Sequence, residues 1–143
     1  MNSKLIAPRI GDDRNDQQYQ LASMIASGAQ IAYGSDWPVT SHLPLKALAV
    51  PTHRQTADCQ PVHGWSPQES ISLEQSLSFY THGVAYQNFN ENRFGSIAVG
   101  MQADLMILES NPLTTPPHNV AQIKIIAVYK KGKNHFQSKK QLP

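Results

Sequence analysis

Asp36 stands in the segment Gly34-Ser35-Asp36-Trp37-Pro38, directly after the short apolar run Ala29-Gln30-Ile31-Ala32-Tyr33. A carboxylate at the C-terminal end of a buried strand can ligate a divalent cation or take a proton from water, and α/β barrels place catalytic groups at that end. On local pattern alone, an Asp after Gly-Ser is more commonly a turn or helix-cap residue. The six histidines (His42, His53, His63, His82, His118 and His135) are scattered. No two of them have the i, i+2 or i, i+4 spacing that presents two ring nitrogens to one ion. Cys59 has His63 four residues on as its nearest base, but the surrounding Thr56-Ala57-Asp58-Cys59-Gln60-Pro61 reads as an open loop, not as a nucleophile and its partner. There is no G-x-S-x-G elbow, no Walker A loop, no dinucleotide glycine fingerprint and no Cys-x-x-Cys pair.

The elements that would position Asp36 follow from periodicity. Residues 16–27 predict a helix, with Tyr19, Leu21, Met24 and Ile25 on one face and Gly28 as its stop. The run 29–33 then predicts a buried strand, so helix, glycine, strand and polar turn form one α-to-β step of an α/β protein. Pro38 holds Trp37 in an extended or turn conformation. A short helix is expected over 43–50 and a loop over 51–64. Two helix starts follow, Ser66-Pro67-Gln68-Glu69 and Ser72-Leu73-Glu74-Gln75, each with the pattern of a capping box. Leu73, Leu77, Tyr80 and Val84 make a core-facing stripe, with His82 as a structural or surface residue beside it. The last third is β-rich: strands are predicted over 103–108, from 123 through Tyr129, and around His135 and Phe136 after a turn at Lys131-Gly132-Lys133.

With 143 residues, the expectation is one compact unit. Twelve Lys and Arg against ten Asp and Glu leave a net charge of +2, too small a bias for a nucleic-acid or membrane partner. Lys130, Lys131, Lys133, Lys139 and Lys140 crowd the C-terminus and read as a solvated tail. A single cysteine, no apolar run like that of a signal peptide in the first residues, and no stretch near the ~20 apolar residues of a membrane span predict a cytoplasmic chain.

Gly34-Ser35-Asp36-Trp37-Pro38-Val39 resembles the eighth-strand motif of the amidohydrolase superfamily, most closely its family 3 branch, which includes N-substituted formamide deformylases. The resemblance continues through Trp65-Ser66-Pro67-Gln68-Glu69, Leu73-Glu74-Gln75-Ser76-Leu77 and Tyr80-Thr81. It runs on through Gly95-Ser96-Ile97, Gly100, Ala103-Asp104-Leu105, Asn111-Pro112-Leu113 and the closing 128–133, and so covers roughly residues 5 to 136. It implies the C-terminal part of a (β/α)8 metal-dependent hydrolase barrel, namely the last strand and following helices, plus strands of a small β-sandwich. Residues 1–94 would belong to the barrel, 95–136 to the β domain and 137–143 to a basic tail. It implies hydrolysis of a C–N bond in a small amide-like substrate, by water activated on a divalent metal, usually zinc. Asp36 then corresponds to the metal-binding, proton-accepting aspartate, and Trp37 and Val39 lie near the substrate, with Trp37 as a pocket wall or as packing.

The sequence also departs from that pattern. It has no His-x-His pair and none of the middle-strand ligands, and a complete barrel takes about 250 residues. Asp104 lies in the β-domain match and reads as a turn carboxylate. The expectation is therefore a truncated enzyme piece that binds metal poorly and does not turn over alone. Its alternatives are a complementing subunit whose partner supplies the histidines, and a non-catalytic interaction module. A missing N-terminal half or self-association would cover its unpaired strand edge and apolar helix face.

Overall fold

The computed structural model describes residues 6–138. Of the tail expected over 137–143, Gln137 instead ends a strand and Ser138 N–H donates to Ile126 O at 2.8 Å, while 139–143 lie outside the described residues. Two single turns, α1 (Ala7–Ile10) and α2 (Asp12–Asn15), lead to α3 (Leu21–Ala26), and α4 (Pro44–Leu48) is followed directly by α5 (Val50–His53). After a loop, a 3-10 turn at Pro67–Glu69 precedes α6 (Leu73–Ser78), a π-helical turn at Phe79–Gly83 and α7 (Val84–Gln87). The C-terminal part holds β1 (Leu105–Leu108), 3-10 turns at Pro112–Thr114 and Pro117–Gln122, β2 (Ile125–Lys130) and β3 (Lys133–Gln137).

Local chemistry explains several boundaries. Gly28 (φ +85°) ends α3: its N–H donates to Ile25 O at 2.9 Å while Ala29 N–H donates to Met24 O at 3.1 Å, a Schellman closure. Ser72 Oγ accepts from Gln75 N–H at 3.1 Å, and Gln75 Oε1 accepts from Ser72 N–H at 2.9 Å, so the expected capping box forms at α6. The three strands form an antiparallel sheet in the order β1-β2-β3. Lys131 (φ 51°) and Gly132 (φ 74°) join β2 to β3 as a two-residue turn with both central residues left-handed, the geometry that matches strand twist. Asp104 staples this turn. Its Oδ1 accepts from Lys131 N–H at 2.7 Å and its Oδ2 from Gln102 Nε2 at 2.6 Å, and these donors hold its carboxyl below the usual range.

Three expectations are corrected. The helix expected over 16–27 is confined to Leu21–Ala26, because Tyr19 is left-handed (φ 53°). Tertiary contacts hold it there: its ring packs edge-on to Trp65 at 5.9 Å and its carbonyl accepts from Arg54 Nη1 at 3.1 Å. The cap expected at Ser66 does not form. Ser66 is left-handed and makes no side-chain cap, since the Glu69 carboxylate reaches away to accept from Ser23 N–H, at 2.9 Å, and from Ser23 Oγ, at the start of α3. Finally, residues 29–33 join no sheet among the described residues. A strand exists only through its neighbours' backbone groups, and here Tyr33 N–H donates instead to Phe79 O at 3.2 Å.

The core is formed by Leu45, Leu48, Ala49, Val120 and Ile123, with Leu73, Leu77, Tyr80, Leu108 and Ile125 packed against it. It joins helices from before residue 94 to turns and strands after it. Ser76 is fully buried at the helix contact and donates its hydroxyl to Leu48 O at 2.6 Å.

Arg54 lies beneath the loop and is nine-tenths buried. Its Nε donates to Trp65 O at 2.5 Å, and its guanidinium stacks over the Trp65 ring at 4.9 Å. Glu69, only 6% exposed, ties this region to α3. The Ser23 hydroxyl first, then the backbone N–H, hold the Glu69 carboxyl below its ordinary value of 4.5. Stability from a depressed carboxyl is fully present above the unfolded value and is lost as pH falls through the folded one. Between these limits the denaturation midpoint should therefore fall with acidification. Glu69→Gln should flatten that limb in a series of urea titrations, and an unchanged pH profile would refute the role given to Glu69.

Candidate functional site

The run 29–33 is held against the helical layer by a glycine and three aromatic rings. A Cβ on Gly83 would lie 2.1 Å from Ile31 O and 3.3 Å from Ala32 Cα, so only glycine permits this approach. Tyr33 packs edge-on to Phe79 at 5.4 Å and to Tyr80 at 5.3 Å. Burial, then Tyr80, push the Tyr33 phenol up to about 12, against a smaller opposing pull from Arg54. The chain entering the candidate site is thus fixed at Tyr33.

Beyond it the backbone turns. Val39 N–H donates to Asp36 O at 2.8 Å, Trp37 N–H donates to Ser35 Oγ at 3.3 Å, and Thr40 Oγ1 donates to Ser35 O. Asp36 is left-handed (φ 49°), a conformation that Asp and Asn tolerate better than most residues. It is exposed, and among the described residues its carboxylate makes no hydrogen bond. Trp37 is 67% exposed and Val39 is also exposed. Asp36 and Trp37 therefore project together from one turn, into open surroundings.

The histidines do not converge on this turn to complete a metal centre. Among the described residues no group of three or more His, Cys, Asp and Glu side chains could hold a metal ion. The donors among the described residues thus do not fit a complete centre, and Asp36 would supply one carboxylate ligand to it. His82 is exposed and, with Ile25, Gly28, Ile31, Phe79 and Gly83, lines a cavity of about 240 Å³. That cavity lies at the start of the 29–33 run, whereas Asp36 lies past its end. The loop histidine nearest Cys59 in sequence is not its neighbour in space: Cys59 Sγ lies 3.9 Å from His118 Nδ1 instead of beside His63. Sequence reasoning missed Arg54 and the Ser23–Glu69 pair. Nothing local announces them, since each depends on partners tens of residues away.

The amidohydrolase-family profile matches residues 2–135. The chain belongs to the amidohydrolase family. Three curated relatives agree with that membership. Protein LONG AFTER FAR-RED 3 of Arabidopsis thaliana is 30% identical over 92% of this chain and 22% of its own length. The putative amidohydrolase YtcJ of Bacillus subtilis is 26% identical over 87% of this chain and 23% of its own. The N-substituted formamide deformylase of Arthrobacter pascens is 23% identical over 80% of this chain and 20% of its own. This amidohydrolase-family chain thus spans about a fifth of the length of each. An amidohydrolase from Thermotoga maritima has the same fold over 84% of this chain and 26% of its own, with a TM-score of 0.62 at 21% identity. Among the described residues of the amidohydrolase-family chain, no helix is long and apolar enough to cross a membrane.

Proposed function

We propose that this chain is the C-terminal part of a metal-dependent hydrolase acting on the C–N bond of a small amide-like substrate. In this reading residues 1–94 contribute to a barrel and 95–136 to a β-sandwich. The observation that carries it is the unengaged carboxylate of Asp36, presented with Trp37 just past a run that glycine and aromatic packing hold in place. A divalent metal, zinc by family resemblance, would acidify the attacking water. Asp36 contributes one oxygen ligand and a carboxylate able to accept a proton, and Trp37 walls the substrate side. Imidazoles from outside these residues would complete the centre, because the donors among the described residues do not. Alone, the chain neither retains metal nor turns over.

A second reading, in which the imidazoles come from a separate partner chain, is favoured by one further observation. Trp37, Val39, Phe89, Ile97 and Val99 are all exposed apolar residues, and 29–33 has no sheet neighbour among the described residues. Self-association would cover the same surfaces.

The test is metal uptake. The purified chain, dialysed against zinc and assayed with an N-substituted formamide, is expected to hold far less than one equivalent and to release no amine. Joined to or co-expressed with a barrel segment carrying His-x-His, it should gain both properties. Stoichiometric zinc and turnover in the chain by itself would end the shared-site reading.

A further inference from the structure

We propose that the groove between α4 and the sheet binds a free medium-chain carboxylate, an amphiphile with one anionic head and an unbranched apolar body. The groove has a volume of about 370 Å³, at the small end of small-molecule sites, which run from about 300 to 1,000 Å³. Its floor is the edge of the core: Leu45, Ile123 and Ile125 line it, and the first two are buried. Leu43, just before α4, and Phe136 of β3 extend that apolar lining outward, where they are 40% and 49% exposed.

The charges in the lining are all of one sign. Lys46 of α4 and Lys124, just before β2, both line the groove and are exposed, and no carboxylate lines it. Neither ammonium has an ion-pair partner among the described residues. A lysine lays its stem along apolar surface and keeps its charge in water, so two cations stand beside an apolar floor. Backbone bonds hold the walls. Lys46 N–H donates to Leu43 O at 3.1 Å, Glu109 N–H donates to Lys124 O at 2.9 Å, and Phe136 pairs with Val128 across β2 and β3.

Size and charge together choose the occupant. A stable protein interface takes about 20–30 residues a side, and ten line this groove. A neutral apolar molecule would leave both ammonium groups without a counter-charge. An octanoate ion, about ten heavy atoms at the ~30 Å³ of a water-sized group, occupies about 300 Å³ and supplies both chemistries. This site is separate from Asp36 and from the hydrolase reading.

The test titrates the nitrogen-15-labelled chain with sodium octanoate, kept below its micelle-forming concentration, and reads amide shifts residue by residue. Saturable shifts confined to 43–46, 121–125 and 136–138 are expected, with a dissociation constant of about 1 mM. Hexanoate should bind about 10-fold more weakly, the loss that two fewer buried methylenes bring. Lys46→Gln and Lys124→Gln together should weaken octanoate about 5-fold, and since both side chains are exposed the fold should stand. Shifts that never saturate, equal binding of hexanoate and octanoate, or undiminished binding by the double variant would each overturn the proposal. Groove shifts that appear on concentrating the chain without octanoate would assign this face to a second copy and overturn it as well. So would octanoate binding seen only after removal of residues 139–143.

Discussion

Asp36→Asn is expected to lower kcat/KM of the assembled enzyme by about 10³-fold, within the range that a positioned proton acceptor contributes. The argument rests on what the substitution leaves alone. Asn tolerates the left-handed backbone that Asp36 adopts (φ 49°), so the Asp36–Val39 turn and the exposed Trp37 beside it should persist. What disappears is the negative charge and the basic oxygen. An amide is a weaker ligand for a hard or borderline cation and accepts no proton near neutrality. Metal content and turnover of an N-substituted formamide, measured on the same preparation, separate the two losses. Retained metal with lost turnover places Asp36 mainly in proton transfer, while loss of both places it mainly in ligation. Activity within a few-fold of the parent would remove Asp36 from the chemistry, whatever the family.

Gly83→Ala is the second large effect. The added Cβ would sit 2.1 Å from the backbone carbonyl oxygen of Ile31, and neither partner is a flexible side-chain end. The π-helical turn at Phe79–Gly83 must back away from 29–33. That separation costs the hydrogen bond from Tyr33 N–H to Phe79 O and loosens the edge-on contacts of Tyr33 with Phe79 and Tyr80. Overpacking of this kind costs about 1–3 kcal/mol, and a clash with backbone should lie at the upper end. A urea midpoint shift of that size is expected, with faster amide exchange at 29–33. Gly34→Ala is the control. Its Cβ would meet only Asp36 Oδ1, at an ordinary 3.7 Å, so it should shift the midpoint little. Equal destabilisation by the two changes would contradict the close-approach argument.

The parts of the fold governed by neighbours in sequence were legible before any coordinates. Ser72 and Gln75 cap α6 because a hydroxyl and an amide three residues apart reach each other's N–H. Gly28 ends α3 and Lys131-Gly132 turns β2 into β3 because these positions require left-handed backbone. The family was legible for a different reason, a sequence pattern that includes Gly34-Ser35-Asp36, and the profile match over residues 2–135 agrees with it. Other features escaped because distant partners outbid local ones. Glu69 had the spacing of a cap for Ser66 yet is committed to Ser23. Tyr19 leaves its expected helix for Trp65 and the carbonyl contact with Arg54. The run 29–33 has strand composition, but composition does not supply a ladder. His118 lies 59 residues from Cys59, and no spacing rule would have paired them in place of His63.

The bond between Ser23 and Glu69 closes a ring across 46 residues of chain. A helix of six residues has too few internal bonds to persist alone, so α3 borrows its lifetime from the segment that plugs its mouth. Its amide protons should exchange with solvent at the pace of those around 66–71, as one opening unit. A protease cut in the loop between Arg54 and Trp65 would leave α3 tied through that carboxylate to the 66–71 segment, within two halves that the core around Leu48 and Val120 also holds together.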